Sequence, residues 1–296
     1  MKLNRQEYSC YQFIFQQQYD FLSTAKTLEQ VLQRLKDFIF VLYTENNNNN
    51  NNIIPLILVD KNARELFNNV MHITLTDYDI NTVLRVLDKR MHVYAKLKLR
   101  HHYAIPFTVI PEPFPLYRIL ADYYIENNNN DTVILFALHA RQREEKYSIA
   151  SFLRKHDLAR SSLFYSYGEQ IRMKLQLPHY HCTLLLAGDS MVALKKALTA
   201  FKVSHFTHII RGNKHMNRNI DDVDNNNNNN SNNSKLTKEL FKRPKKPITI
   251  PIIRSNTRYP VLSSIEIVSL MLPDSIRGVR TTVDGIRPYT TGKMLL

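Results

Sequence analysis

The chain is short of cysteine: Cys10 and Cys182 are the two it has in 296 residues. Two thiols build neither a disulfide framework nor a four-cysteine zinc cluster, which predicts a chain kept in a reducing compartment. Long apolar runs are missing too. The longest, residues 53–59 around Pro55 and 133–138, stop well below the roughly 20 residues a membrane-spanning helix needs. The first seven residues carry no apolar signal core, and no basic amphipathic helix stands out. These absences predict a soluble intracellular protein with no membrane partner.

Positive charge is plentiful. Lys and Arg number 40 against 26 Asp and Glu, a formal net charge of +14, with a sequence pI of about 9.7. Such a surplus favours a polyanionic partner, nucleic acid ahead of membrane. The length suffices for one large or two small domains with real cores.

Asparagine tracts at residues 46–52, 127–130 and 225–230 read as expanded surface loops, since runs of Asn add nothing to a packed core. Between them the apolar patterning predicts a strand over 9–15, a helix over 28–42, an apolar stretch over 53–59 and a helical segment over 63–70. A strand over 71–76 follows, then a helix with apolar positions Ile80, Val83, Leu84, Val86 and Leu87, capped by Asp77 or Asp79. The second half repeats this: strands over 107–110, 116–120 and 133–140, a helix over 147–156, a strand over 180–187, a helix over 191–201 and a strand over 206–211. The expected architecture is a pseudo-symmetric α+β domain over 1–220 with central antiparallel sheets flanked by helices. A low-complexity basic linker over 221–247 follows it, and residues 248–296 stay unassigned although their Ile/Val-rich stretches look foldable.

Within that pattern one tetrapeptide occurs twice: His72-Ile-Thr-Leu75 and His181-Cys-Thr-Leu184. On a strand the alternation puts His and Thr on one face and the apolar pair on the other. Two such strands side by side aim two imidazoles and two hydroxyls into one groove. An imidazole pair near neutrality holds one neutral and one charged member, as needed to deprotonate a ribose 2′-OH and protonate the leaving 5′-oxygen. The Thr74 and Thr183 hydroxyls then suit the non-bridging phosphate oxygens. Neither role calls for a metal or other cofactor. A third His-x-Thr, His205-Phe-Thr-His208, lacks the apolar fourth residue, and Lys242-Arg-Pro-Lys-Lys-Pro247 reads as a nuclear localisation signal or a solvated linker.

The paired motifs resemble those of the 2H phosphoesterase superfamily, and within it the U6 snRNA phosphodiesterases, 3′ exoribonucleases that trim the uridine tail of that RNA. Three segments carry the resemblance: Pro178-His-Tyr-His-Cys-Thr-Leu-Leu-Leu-Ala-Gly-Asp189, His72-Ile-Thr-Leu-Thr76 and Ile209-Ile-Arg-Gly-Asn-Lys214. It spans roughly residues 9–220. It implies a two-lobed fold, a metal-independent 3′-5′ exoribonuclease acting by 2′-OH attack, RNA (the U6 3′ end) as partner, a nuclear location and a monomer. His72 and His181 would be the catalytic pair, Thr74 and Thr183 the phosphate contacts, and Tyr180 a substrate contact. Thr replaces the family's Ser in both motifs, and Leu175 stands where the family has a base-stacking Tyr; Tyr165 and Tyr167 are the candidates to replace it.

Two rivals stand beside this reading. His179-Tyr-His181 is also the His-x-His pair of metal-dependent endonucleases that nick single-stranded DNA, with His139 or Gln142 as third ligand. That chemistry needs a tyrosine nucleophile on a downstream helix, and Tyr259 and Tyr289 sit in Pro- or Thr-rich surroundings. The other rival is a non-catalytic RNA-binding protein on a degenerate fold of the same kind.

Overall fold

A computed structural model describes residues 8–47, 50–89, 91–101, 103–126, 134–143, 162–203, 206–212, 235–244, 260–276 and 279. The first half runs β1 (Ser9–Phe15), α1 (Phe21–Leu32), β2 (Asp37–Asn47), β3 (Asn50–Val59), a 3-10 helix (Lys61–Asn69), β4 (Ile73–Asp77) and α2 (Ile80–Lys89). The second runs β5 (Val93–Leu99), α3 (Leu116–Glu126), β6 (Ile134–Gln142), α4 (Ser162–Gln176), β7 (His179–Gly188), α5 (Met191–Val203), β8 (Phe206–Gly212) and α6 (Lys235–Phe241). A short strand β9 (Val261–Ser263) and helix α7 (Ser264–Met271) complete the described chain.

All the described strands join one antiparallel sheet in the order β4-β1-β3-β2-β6-β7-β5-β8, with β9 paired to β7. The first half is a strand-helix-strand-strand-helix-strand unit of the split β-α-β type, its second helix being the 3-10 helix, and the second half adds α4 between its two middle strands. The strand order, first to fourth, reads 4-1-3-2 in the first half and 2-3-1-4 in the second. The halves meet through β2 and β6, paired from Asp37 with Arg141 to Tyr43 with Leu135. The mixed α+β class and the antiparallel sheet agree with the sequence reading.

Helices cover both faces of the sheet, which is why its central strands are apolar almost throughout. On one face Phe38, Phe40, Phe136, Leu138, Tyr180, Leu184 and Leu186 pack against Leu28 of α1, Leu120 of α3, Phe201 of α5 and Val268 of α7. On the other, Ile39, Val41, Leu135, Ala137, Leu185 and Ala187 pack against Val83, Leu84 and Leu87 of α2 and Leu236, Leu240 and Phe241 of α6. Thus α6 lies within the segment expected to be a linker, and α7 belongs to the main core.

Several expectations change. The helix expected over 28–42 ends at Leu32, because Phe38-Ile-Phe-Val-Leu42 is buried on both sides as β2. The strand expected over 116–120 is helical: Leu116, Tyr117 and Leu120 recur at i, i+1 and i+4 and put one face into the core. The Asn tract at 46–52 prolongs a hairpin ladder, Asn46 opposite Asn51 and Asn47 opposite Asn50. Strand β5 was not expected, although Val93, Ala95, Leu97 and Leu99 alternate with period two. The helix expected over 147–156 lies outside the described residues.

The C-terminal elements are tied in by a buried ion pair. Lys174 Nζ donates to Glu266 Oε2 at 2.8 Å and to the carbonyls of Tyr103 and Val261 at 2.8 Å each, which uses all three of its hydrogens. Glu266 in turn accepts from Phe107 N at 3.0 Å, Ser263 N at 2.8 Å and Ser263 Oγ at 2.9 Å. Neither charged side chain has exposed surface.

Candidate functional site

The two copies of the motif do not lie on neighbouring strands. Thr74 lies on β4, at one edge of the sheet, with His72 in the turn just before it, and His181 and Thr183 lie on β7, with β1, β3, β2 and β6 in between. Five strand steps amount to about 24 Å measured along the sheet. Within the repeated topology the counterpart of β4 is β8, not β7, so the two motifs are not equivalent positions of the two halves.

Their local settings differ as well. His72 has φ 60°, in the left-handed region, where the chain turns from the 3-10 helix into β4. Its carbonyl accepts from Gln16 N at 3.0 Å. Asp20, the N-cap of α1, is held below the usual carboxylate range mainly by the backbone N–H and hydroxyl of Ser23, with a smaller lowering from nearby His72. Thr74 is exposed, whereas His181 and Thr183 are 1% and 7% exposed.

Tyr180, expected to touch substrate, points to the opposite face of β7 from His181. It is fully buried, packs edge-on against Phe38 and donates its hydroxyl to the carbonyl of Leu32. A base cannot stack on it there. The side chains of Tyr165 and Tyr167, on α4, lie outside the described residues, as do His205, Tyr259 and Tyr289.

The metal-site rival fares differently in its parts. His179 and His181 do share a face of β7, and His139 of β6, opposite Thr183, shares it too. But His139 Nδ1 faces the carbonyl of Leu240 at 2.9 Å and its Nε2 faces Asp37 Oδ1 at 2.8 Å, so both ring nitrogens are already engaged. Among the described residues no three His, Cys, Asp or Glu side chains are grouped to hold an ion.

A different constellation comes together at the join of the two halves. Where β2 begins, β6 ends and β7 begins, a cleft of about 740 Å³ opens. Lys36, Arg141, Arg143 and Arg243 line it with His179, and among the described residues Asp37 is the one carboxylate there. Gln142, Gln176, Leu177 and Pro178 complete the wall. The ladder explains the convergence: Asp37 pairs with Arg141 and Arg141 with His181, while Gln142 N donates to Lys36 O at 2.8 Å and Arg143 N to His179 O at 2.9 Å. Four cations against one carboxylate make this concavity electropositive, and its walls concentrate that field.

The chain matches no protein-family model and no curated protein.

Three of these cations carried no motif. Lys36 directly precedes β2, Arg141 stands near the end of β6 after its core positions and Arg143 just past it, so each reads as an ordinary strand-end charge. Arg243 lies inside the basic tract of residues 242–247, and that tract was the available signal.

Proposed function

We propose that this protein binds single-stranded RNA at the basic cleft. The observation that carries the reading is the convergence of Lys36, Arg141, Arg143 and Arg243 on one concavity in a chain of net charge +14. Guanidinium groups suit phosphate oxygens bidentately. A concavity of about 740 Å³ is in the range that takes a small ligand, so it suits roughly a nucleotide or two of a single strand better than a duplex. Gln142 and Gln176 add amide donors and acceptors for base edges, and Leu177 and Pro178 an apolar side. Among the described residues no Phe or Tyr ring lines it, so affinity rests on phosphate contacts more than on stacking.

Exonucleolytic cleavage by His72 and His181 requires both at one phosphate, and their separation in the sheet favours binding without turnover. Oligouridine, the substrate class that the resemblance implies, is the ligand to test. Fluorescence anisotropy with end-labelled oligouridine between 50 and 200 mM salt should give a slope of log affinity against log salt near −3 for about four phosphate contacts. Arg141→Glu and Arg143→Glu should each weaken binding tenfold or more. Unchanged affinity in both variants would sink the reading. The same incubations in EDTA should leave the RNA intact, and shortening that disappears in His181→Ala would restore the two-histidine enzyme.

A further inference from the structure

Asp37 is out of place by charge. A carboxylate in a cation-lined anion site opposes the ligand, and Asp37 is 22% exposed at the cleft wall. Its contacts point to a different role. Asp37 Oδ1 accepts from His139 Nε2 at 2.8 Å and from the Tyr8 hydroxyl at 3.1 Å, and Oδ2 lies 3.9 Å from Arg243 Nε. His139 has no exposed surface, and its Nδ1 donates to the carbonyl of Leu240, in the last turn of α6, at 2.9 Å. Arg243 leaves that helix end two residues after Phe241, with its side chain half exposed. One buried ring thus joins the end of the helix to the carboxylate that lies 3.9 Å from the guanidinium.

Resting on the reading of the cleft as an RNA site, we propose that Asp37 and His139 are positioning residues that aim Arg243 at the bound phosphate. Their removal widens the rotamer range open to a half-exposed arginine on a chain leaving a seven-residue helix, and its phosphate contact then costs more side-chain entropy. Fixing it in place offsets the unfavourable field of the single carboxylate.

Charge and position predict opposite signs. Asp37→Asn removes a negative charge, so an electrostatic role alone predicts tighter RNA binding. The positioning role predicts a roughly three- to tenfold weaker affinity and a salt slope shallower by about 0.7, the signature of one phosphate fewer neutralised on a single strand. Arg243→Ala should weaken binding by the same factor, the double variant no more than either single one, and His139→Gln should behave like Asp37→Asn. Tighter binding by Asp37→Asn, additive effects in the double variant, or a folded His139→Gln with unchanged affinity would overturn the proposal. Should the Asp37 and His139 variants fail to fold, Arg243→Lys decides it: lysine keeps the charge but has no Nε–H to meet Asp37, so affinity near that of Arg243→Ala supports positioning and wild-type affinity refutes it. An unmodified chain that binds no oligouridine refutes the cleft itself, a result distinct from all of these.

Discussion

Lys174 and Glu266 show how much a single buried residue carries here. Each leaves a charge without its counter-ion if the other is removed, although both are fully satisfied as a pair. Lys174→Met should therefore lower stability by ~3–5 kcal/mol, read from chemical denaturation. Tyr180→Phe tests a smaller effect. It removes one buried hydrogen bond to Leu32 and should cost about 1 kcal/mol, with RNA affinity unchanged, because the ring sits in the core and not in the cleft. The thiols are a third case. Burial, with a lesser contribution from Asp79, pushes the Cys10 thiol up to about 12, and burial pushes Cys182 up too. The folded state thus holds its Cys10 proton more tightly than the unfolded chain. The stability this confers is complete below about pH 9 and is lost as pH rises from there toward 12. At neutral pH neither thiol should react with iodoacetamide until denaturant is added.

Strand β7 was legible as a continuous apolar run between Pro178 and Gly188, because a central strand buried on both faces shows apolar residues on both parities. Helix α2 was legible for the matching reason: Asp79 accepts from Asn81 N at 3.0 Å, and the apolar residues recur at helical spacing behind that cap. Helix α7 was not. Ile267, Val268, Leu270 and Met271 surround its axis instead of forming a stripe, since core closes around it, and such a run has no helical period to detect. Its packing makes it a part of the fold that the first 259 residues lack. A chain ending at residue 259 would expose the core positions that α7 fills and leave Lys174 without Glu266. Such a truncation should give no cooperative thermal transition and lose its near-ultraviolet circular dichroism.

The whole molecule is organised by the seam between its halves. Residues 36, 141–143, 179 and 243 are dispersed over more than two thirds of the chain, and the pairing of β2 with β6 and of β6 with β7 gathers them. The same ladder puts the two His-x-Thr motifs on strands that are not neighbours. Because His72 and His181 are separated by four intervening strands, alanine substitutions at the two should be energetically independent. Their stability losses, measured by urea unfolding, should add to within ~0.5 kcal/mol, and a larger coupling would show that the imidazoles meet.

What the sequence alone determined is local: charge and its sign, which segments alternate as strands, that an aspartate at 77 or 79 caps a helix, and that His181 and Thr183 share a strand. These follow from residue chemistry and from periods of two and 3.6, which need no knowledge of neighbours. Which strands lie together was decided by the tertiary structure. The order 4-1-3-2 sends β4 to an edge and leaves β7 inside, because β1 occupies the place beside β3 and β5 and β9 share the far side of β7. Pairing between strands is set by the burial of whole faces and by crossover geometry, and a tetrapeptide carries neither. For that reason the repeated motif was readable as a pattern without its neighbours, while the cleft, foreshadowed in the sequence by the basic tract at 242–247 alone, takes shape where the strand ends converge.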